Sequence, residues 1–305
     1  MIGKIKRIKR KIATYLIGDA PYRFMVRDWK NIGDVDLAAR VLETSYFRDQ
    51  LISVPYEFEA GQRLLVLAPH QDDESIGVGG TMRKAVDAGA KVQVLFVTDG
   101  AQANLGVGME ESVKLRRKEA QSACQLVPCE MKELGISNAA PEPSVTDIAA
   151  LRNAIDEFKP DFVFVPWLLD VPIKHRMVNH MLWLCDKQSP LKCEIWGYQV
   201  HNNLFPNVYV DITQQIDVKQ KMLECFRSQN ENFKRYDKIA IGLSAWNSRF
   251  AENKTVEYVE TFMALPKEAY LNLVGNFYFD RFEQVYRNND SLCSAMKRLH
   301  AEITA

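Results

Sequence analysis

Apolar runs alternate with amphipathic stretches along most of this chain. Arg63-Leu-Leu-Val-Leu-Ala68 is apolar almost throughout, stops at Pro69, and reads as a buried strand. A helical stretch then runs to about Ala88 and ends at Gly89. Lys91–Val97 follows as a second strand, closed by the turn Thr98-Asp99-Gly100. A charged helix is expected from about Glu110 to Leu126, and a short third strand over Met131–Ile136. Pro141-Glu-Pro-Ser-Val-Thr-Asp147 marks a loop and a helix start, and Lys159-Pro160 stops that helix after Phe158. Asp161–Trp167 is another buried strand, Glu194–Val200 and Val208–Ile212 fit two more, and a long helix fits Thr213–Arg227. From about Asn230 the pattern is mixed, with aromatic residues expected to pack on the main body. Strands and helices alternating at this spacing predict right-handed βαβ units and a mainly parallel sheet. The simplest organisation is one α/β domain over residues 51–265, an N-terminal extension over 1–50, and a helical C-terminal extension over 266–305 packed on the domain.

Composition adds limits. At 305 residues with 47% hydrophobic residues the chain can bury a sizeable core. The 39 basic and 39 acidic residues cancel, so nothing global points to nucleic acid. Six cysteines occur without a C-x-x-C pair, which fits reduced thiols in a cytoplasmic protein. No apolar run approaches the ~20 residues that span a bilayer. Ile2, Ile5, Ile8, Ile12 and Leu16 recur at helical spacing among Lys4, Lys6, Arg7, Lys9, Arg10 and Lys11. Residues 1–18 therefore read as a basic amphipathic helix, able either to lie on an anionic membrane surface as a peripheral contact or to dock on the body with its basic face solvated.

Chemistry concentrates just after the first buried strand. His70-Gln-Asp72-Asp73-Glu74 places an imidazole and three carboxylates in one turn. Such a cluster repels itself unless something positive sits within it. A histidine and a carboxylate three residues on make a workable ligand pair for a divalent metal such as zinc. A second cluster follows the strand Asp161–Trp167 and contains His175, where a loop gives way to a helix. If those two strands are neighbours, His175 completes a His/Asp/His set, the donor number of a catalytic zinc site. His180 lies about 140° further round the same helix and is expected to be packed or exposed rather than a ligand. His300, near a polar terminus, is expected to be solvated, and Asp99 to be a turn residue. Gly77, Gly79 and Gly80 lack a phosphate-loop pattern and read as glycines permitting close helix–sheet contact.

The run Ala68-Pro69-His70-Gln71-Asp72-Asp73-Glu74, with Gly79-Gly80-Thr81 after it, resembles the signature of the PIG-L-type (LmbE-like) zinc-dependent N-acetylglucosaminyl deacetylases. Thr98-Asp99-Gly100, Arg116-Arg-Lys-Glu119-Ala120, and Val210-Asp211-Ile-Thr213 with Lys219 and Ser228-Gln229 extend the resemblance in order over roughly residues 60–265. The resemblance implies a Rossmann-like three-layer sandwich with zinc held by His70, Asp73 and His175. It implies Asp72 as general base, then acid, in removing the acetyl group from an N-acetylated sugar in glycan or glycolipid biosynthesis. Glu74 is expected to orient the loop. Arg116 is expected to face the sugar or a neighbouring phosphate, with an ion pair to an adjacent helix as the alternative.

One half of the site departs from the family pattern. Where the family commonly has His-Pro-Asp-His, this chain has Pro172-Ile173-Lys174-His175. The histidine that helps stabilise the oxyanion is replaced by Pro172, and the acid before the ligand by Lys174. Lys174 and His201 are the candidates to supply the missing contribution, and Asp170 is expected to orient His175. Gln71 replaces a common proline without obvious consequence. Two other readings stay open: a catalytically silent sugar-binding or scaffold protein of the same fold, and a zinc amidohydrolase for a non-sugar amide.

Overall fold

Alternate side chains of strand β2 (Arg63–Ala68) face opposite cores: Leu64, Val66 and Ala68 enter one, Leu65 and Leu67 the other. A strand buried on both faces needs helices on both sides of its sheet, which is why its sequence is nearly all apolar. The computed structural model describes residues 40–41, 43–44, 53–101, 105–202, 204–232, 235–287 and 289–305. The basic amphipathic segment expected over 1–18 lies outside the described residues.

The sheet contains β1 (Val54–Pro55), β2, β3 (Lys91–Thr98), β4 (Glu130–Ile136), β5 (Phe162–Pro166), β6 (Glu194–Tyr198), β7 (Val208–Asp211) and β8 (Val259–Pro266). Their spatial order is β1-β7-β8-β6-β5-β2-β3-β4. All pairings are parallel except those of β8, which runs antiparallel to both β6 and β7. One face is covered by α1 (Asp73–Asp87), α2 (Met109–Leu126), α5 (Ile216–Cys225) and α7 (Tyr236–Asn247). The other is covered by α3 (Val145–Phe158), α4 (Ile173–Gln188), α8 (Lys267–Tyr278), α9 (Phe282–Val285) and α10 (Asp290–Thr304). The result is a mixed, mostly parallel α/β sandwich of three layers, as the sequence implied. Among the described residues no helix is long and apolar enough to cross a membrane.

Local signals set the element ends. Gly89 has φ +87°, a left-handed conformation that lets the chain leave α1 and enter β3. Ser144 and Asp147 close a reciprocal capping box at the start of α3, and Lys159 takes φ 51° to end it ahead of Pro160. The sheet order also places β5 directly beside β2, pairing Leu64 with Phe162 and Val66 with Phe164. The carboxyl ends that carry the two candidate clusters are therefore adjacent.

The helix after β2 begins at Asp73 itself, and Gly77, Gly79 and Gly80 lie inside it. Two expectations need correction. The long helix expected over Thr213–Arg227 is a 3-10 turn, Thr213–Gln215, then α5, then a break at Phe226 before α6 (Arg227–Asn232). Phe226 is buried, and Ser228 beyond it bonds Glu119 through its amide at 2.8 Å and its hydroxyl at 2.7 Å, which turns the chain. The second is β8, which falls in the stretch read as mixed.

Candidate metal centre

The sharp turn from β2 into α1 builds the first half of the centre. Thr98 on the neighbouring strand donates its amide (3.1 Å) and its hydroxyl (2.7 Å) to Pro69 O, pinning the strand end. His70 donates its amide to Asp73 Oδ2 at 2.9 Å, and His70 Nδ1 lies 3.1 Å from the same oxygen. Asp72 then adopts φ 146° and ψ −26°, a conformation that is costly for a residue with a β-carbon. Glu74 is fully buried. It accepts the Asp72 amide at 3.1 Å and the Ser75 hydroxyl at 2.6 Å, so it holds the turn that presents Asp72. Gln71 is far from inconsequential: it is buried, donates to Thr98 O at 2.9 Å, and sits where a β-carbon on Gly100 would come within 2.2 Å of its Oε1.

The turn from β5 into α4 builds the second half. Asp170 is buried and accepts from the amides of Val171 (2.9 Å) and Asn202 (3.0 Å). Its Oδ2 lies 2.9 Å from His175 Nδ1. A carboxylate on one ring nitrogen fixes the ring and leaves the other nitrogen to face the site. That nitrogen, His175 Nε2, lies 3.2 Å from Asp73 Oδ2, is fully buried, and makes no hydrogen bond among the described residues. One donor atom from each of His70, Asp73 and His175 falls within 4.8 Å of the others. A buried imidazole nitrogen without a hydrogen-bond partner, aimed at a carboxylate and a second imidazole, fits a divalent cation of zinc type.

The local electrostatics are strong. Burial lifts the Asp72 carboxyl well above its ordinary range, and nearby Arg116 only partly offsets this. Burial also raises Asp73, but the two flanking imidazoles overcome it and hold that carboxyl well below the usual range. Burial raises Glu74 to about 7. For His175, burial works against protonation, yet Asp73 and Asp170 together raise it to about 10, so the pocket attracts positive charge at that ring. Burial depresses His70 to about 4.

The remaining candidates are spread around this centre. Arg116 is buried and donates to Gln71 O at 2.6 Å, with Asp72 Oδ1 at 3.4 Å. It braces the turn that carries Asp72, and its ion pair is with that residue, the N-cap of α1, in line with the alternative reading of an ion pair to an adjacent helix. Lys174 is half-buried in the first turn of α4, where burial and then Arg116 lower its pKa. His201 stands with its ring 5.5 Å from that of His175 and 6.0 Å from Tyr236. Asp99 is the expected turn residue, its Oδ1 accepting the amides of Ala101 (2.9 Å) and Asn138 (2.8 Å). His180 is packed. His300 is not solvated as expected: its Nδ1 lies 3.0 Å from His180 Nε2 and its ring stacks on Trp183 at 5.3 Å. The amphipathic stripe of α10, Leu292, Met296 and Leu299, carries it inward.

Two features were missed in the sequence. Lys219 and Glu260 form a buried ion pair against α1. Asn179 on α4 bonds the carbonyls of Pro166 and His175. Lys219 stood in a recognised motif without a role, and Glu260 lies on the unrecognised strand β8.

Known proteins bear out the resemblance read from the sequence. Residues 65–185 match the model of the PIG-L family, described as GlcNAc-PI de-N-acetylase. Diacetylchitobiose deacetylase of Thermococcus kodakarensis is 37% identical over 65 residues, which is 21% of this chain and 24% of that protein. In three dimensions, N,N'-diacetylchitobiose deacetylase from Pyrococcus horikoshii superposes with a TM-score of 0.60 at 22% identity, covering 77% of this chain and 94% of that one. GalB, a 4-carboxy-2-hydroxymuconate hydratase from Pseudomonas putida, superposes with a TM-score of 0.56 at 17% identity, covering 67% and 96%. The fold is thus shared with a hydratase as well as a deacetylase, and function has to be argued from the site.

Proposed function

We propose that the PIG-L-type segment of this chain forms a zinc-dependent N-deacetylase acting on an N-acetylated sugar of GlcNAc type, in glycan or glycolipid biosynthesis. The observation that carries this reading is the His70–Asp73–His175 set, Asp73 and His175 buried and His70 partly so, with His175 Nε2 unbonded among the described residues and the Asp72 carboxyl beside it. The family match over 65–185 supplies the reaction class.

His70, Asp73 and His175 would hold the zinc, which when bound polarises the acetamide carbonyl and acidifies a water. Asp72 takes the proton from the attacking water, for which a carboxyl made more basic by burial is suited. The same carboxyl returns the proton to the sugar nitrogen as the amide C–N bond breaks, releasing acetate and the amine. Arg116 keeps Asp72 in place through Gln71 O and steadies its charge. Asp170 orients His175, and Glu74 holds the turn. Pro172 offers no donor, so Lys174 and His201 are assigned to the charge that develops on the carbonyl oxygen.

Purified protein is expected to take up one zinc per chain and to release acetate from an N-acetylhexosamine conjugate. Asp72→Asn should retain the zinc and lose turnover. Acetate release from acetylated amines but not acetylated sugars would move the activity to a non-sugar amide. Ligand binding without any acetate release would leave a silent sugar-binding protein.

A further inference from the structure

The C-terminal helices reach the helix of the third ligand through directed hydrogen bonds clustered around His175. Tyr270 on α8 donates its hydroxyl to Asn179 Oδ1 at 2.8 Å. Asn179 Nδ2 donates in turn to His175 O at 3.0 Å and Pro166 O at 2.8 Å. Tyr278, also on α8, donates to Leu168 O in the loop between β5 and α4. Arg176 donates Nε to Asp170 O at 2.9 Å and Nη1 to Val285 O at 3.2 Å, linking α9 to the residue whose carboxylate holds His175. Tyr270, Tyr278, Arg176 and Asn179 are all buried.

Apolar packing alone would hold α4 against α8 and α10, and phenylalanine would serve that purpose without the cost of burying hydroxyls. What packing does not fix is the rotation and depth of a helix, which directed bonds to carbonyls do fix. Tyr270, Tyr278 and Val285 lie beyond 185, outside the stretch that matches the family model. They grip the half of the centre in which Pro172 and Lys174 depart from the family pattern.

We propose that the C-terminal helices are a positioning clamp for His175, in which Tyr270 and Tyr278, with the Val285 carbonyl, act through Asn179, Leu168 and Arg176 to fix where its imidazole stands. This rests on the metal reading above. The full chain is compared with Tyr270→Phe, Tyr278→Phe and the double variant in two measurements. The first is zinc affinity by competition with a chelator. The second is amide hydrogen exchange of the metal-free protein, which needs no zinc.

The double variant should bind zinc about tenfold more weakly, the lower end of what loss of a ligand's supporting partner costs. Its amides over 173–180 should exchange faster while those of α1 do not change. Wild-type zinc affinity in the double variant overturns the proposal, as does equal acceleration in α1 and α4, which is general loosening. Tyr270→Phe alone is decisive if the double variant does not fold. If the wild-type chain binds no zinc, the deacetylase reading fails, and exchange in α4 alone then decides whether the clamp exists.

Discussion

Lys219 Nζ lies 2.5 Å from Glu260 Oε1, and the pair grips the middle of the helix that carries Asp73. Lys219 also donates to Ile76 O at 2.8 Å, while Glu260 accepts the amides of Gly80 at 3.0 Å and Thr81 at 2.7 Å. A charge pair this deeply buried contributes little net stability, but removing one partner strands the other. Glu260→Ala or Lys219→Met should each cost about 3–5 kcal/mol in urea unfolding. The double variant Lys219→Met/Glu260→Gln should recover part of that loss. Single variants within about 1 kcal/mol of wild type would contradict this account.

Asp72, the residue proposed to transfer the proton, has an unfavourable backbone. At φ 146° any β-carbon is strained, so Asp72→Ala keeps the strain while Asp72→Gly releases it. Both variants lose the contact with Arg116 equally. Asp72→Gly should therefore be more stable than Asp72→Ala by about 1–2 kcal/mol, with turnover lost in both. Equal stability of the two in chemical denaturation would show that the turn relaxes without cost.

Two glycines two residues apart should behave oppositely. A β-carbon on Gly77 would fall 2.3 Å from the Tyr198 ring and 2.9 Å from the Gln199 carbonyl. Gly77→Ala should cost about 1–3 kcal/mol through overpacking. A β-carbon on Gly79 meets Lys219 Cγ and Met222 Sδ at an ordinary 3.5 Å. Gly79→Ala should be neutral or stabilising by up to about 1 kcal/mol, the helix-propensity gain. Thermal unfolding of the two variants side by side checks both signs.

Asp170→Asn should keep the size of the side chain but remove the charge facing His175 Nδ1 at 2.9 Å. The amide can present the wrong partner and let the imidazole take the other tautomer. Zinc affinity by chelator competition should weaken about 10–100-fold. An unchanged affinity would mean that Asp170 serves only the loop amides of Val171, His201 and Asn202.

The two halves of the centre were legible because each sits at the end of an apolar strand, and because β2 and β5 are neighbours as the reading required. The start of α1 carries three acids and three glycines, a composition closer to loop than to helix. The helix tolerates them because Asp73 and Glu74 fill its first turn, and Gly77 and Gly80 meet Tyr198 and Ile212 at close range. Strand β8 escaped because it enters antiparallel between β6 and β7 and is buried on both faces, so Val-Glu-Thr-Phe-Met-Ala-Leu-Pro shows no clean alternation. Its Glu260 finds Lys219 41 positions away, a pairing that no local spacing announces.

The buried His180, paired with the partly buried His300, sets a pH dependence of opposite sign to that of a salt-bridged histidine. Burial, and then the neighbouring His300, depress the pKa of His180 well below 6.5, and burial lowers His300 in the same direction. Well above pH 6.5 both rings are neutral in the folded and unfolded chains, so they make no pH-dependent contribution there. As pH falls through that value the unfolded chain takes up protons that the folded chain refuses, and stability is lost. His180 alone should remove up to about 1.4 kcal/mol per pH unit between roughly pH 6 and 5. His180→Gln removes the titrating ring and can still bond Tyr286 and His300. Its stability should fall with pH by about one proton less than that of wild type over this window. Parallel curves from urea unfolding at pH 7, 6 and 5 would show that His180 takes up its proton in the folded chain as readily as in the unfolded one.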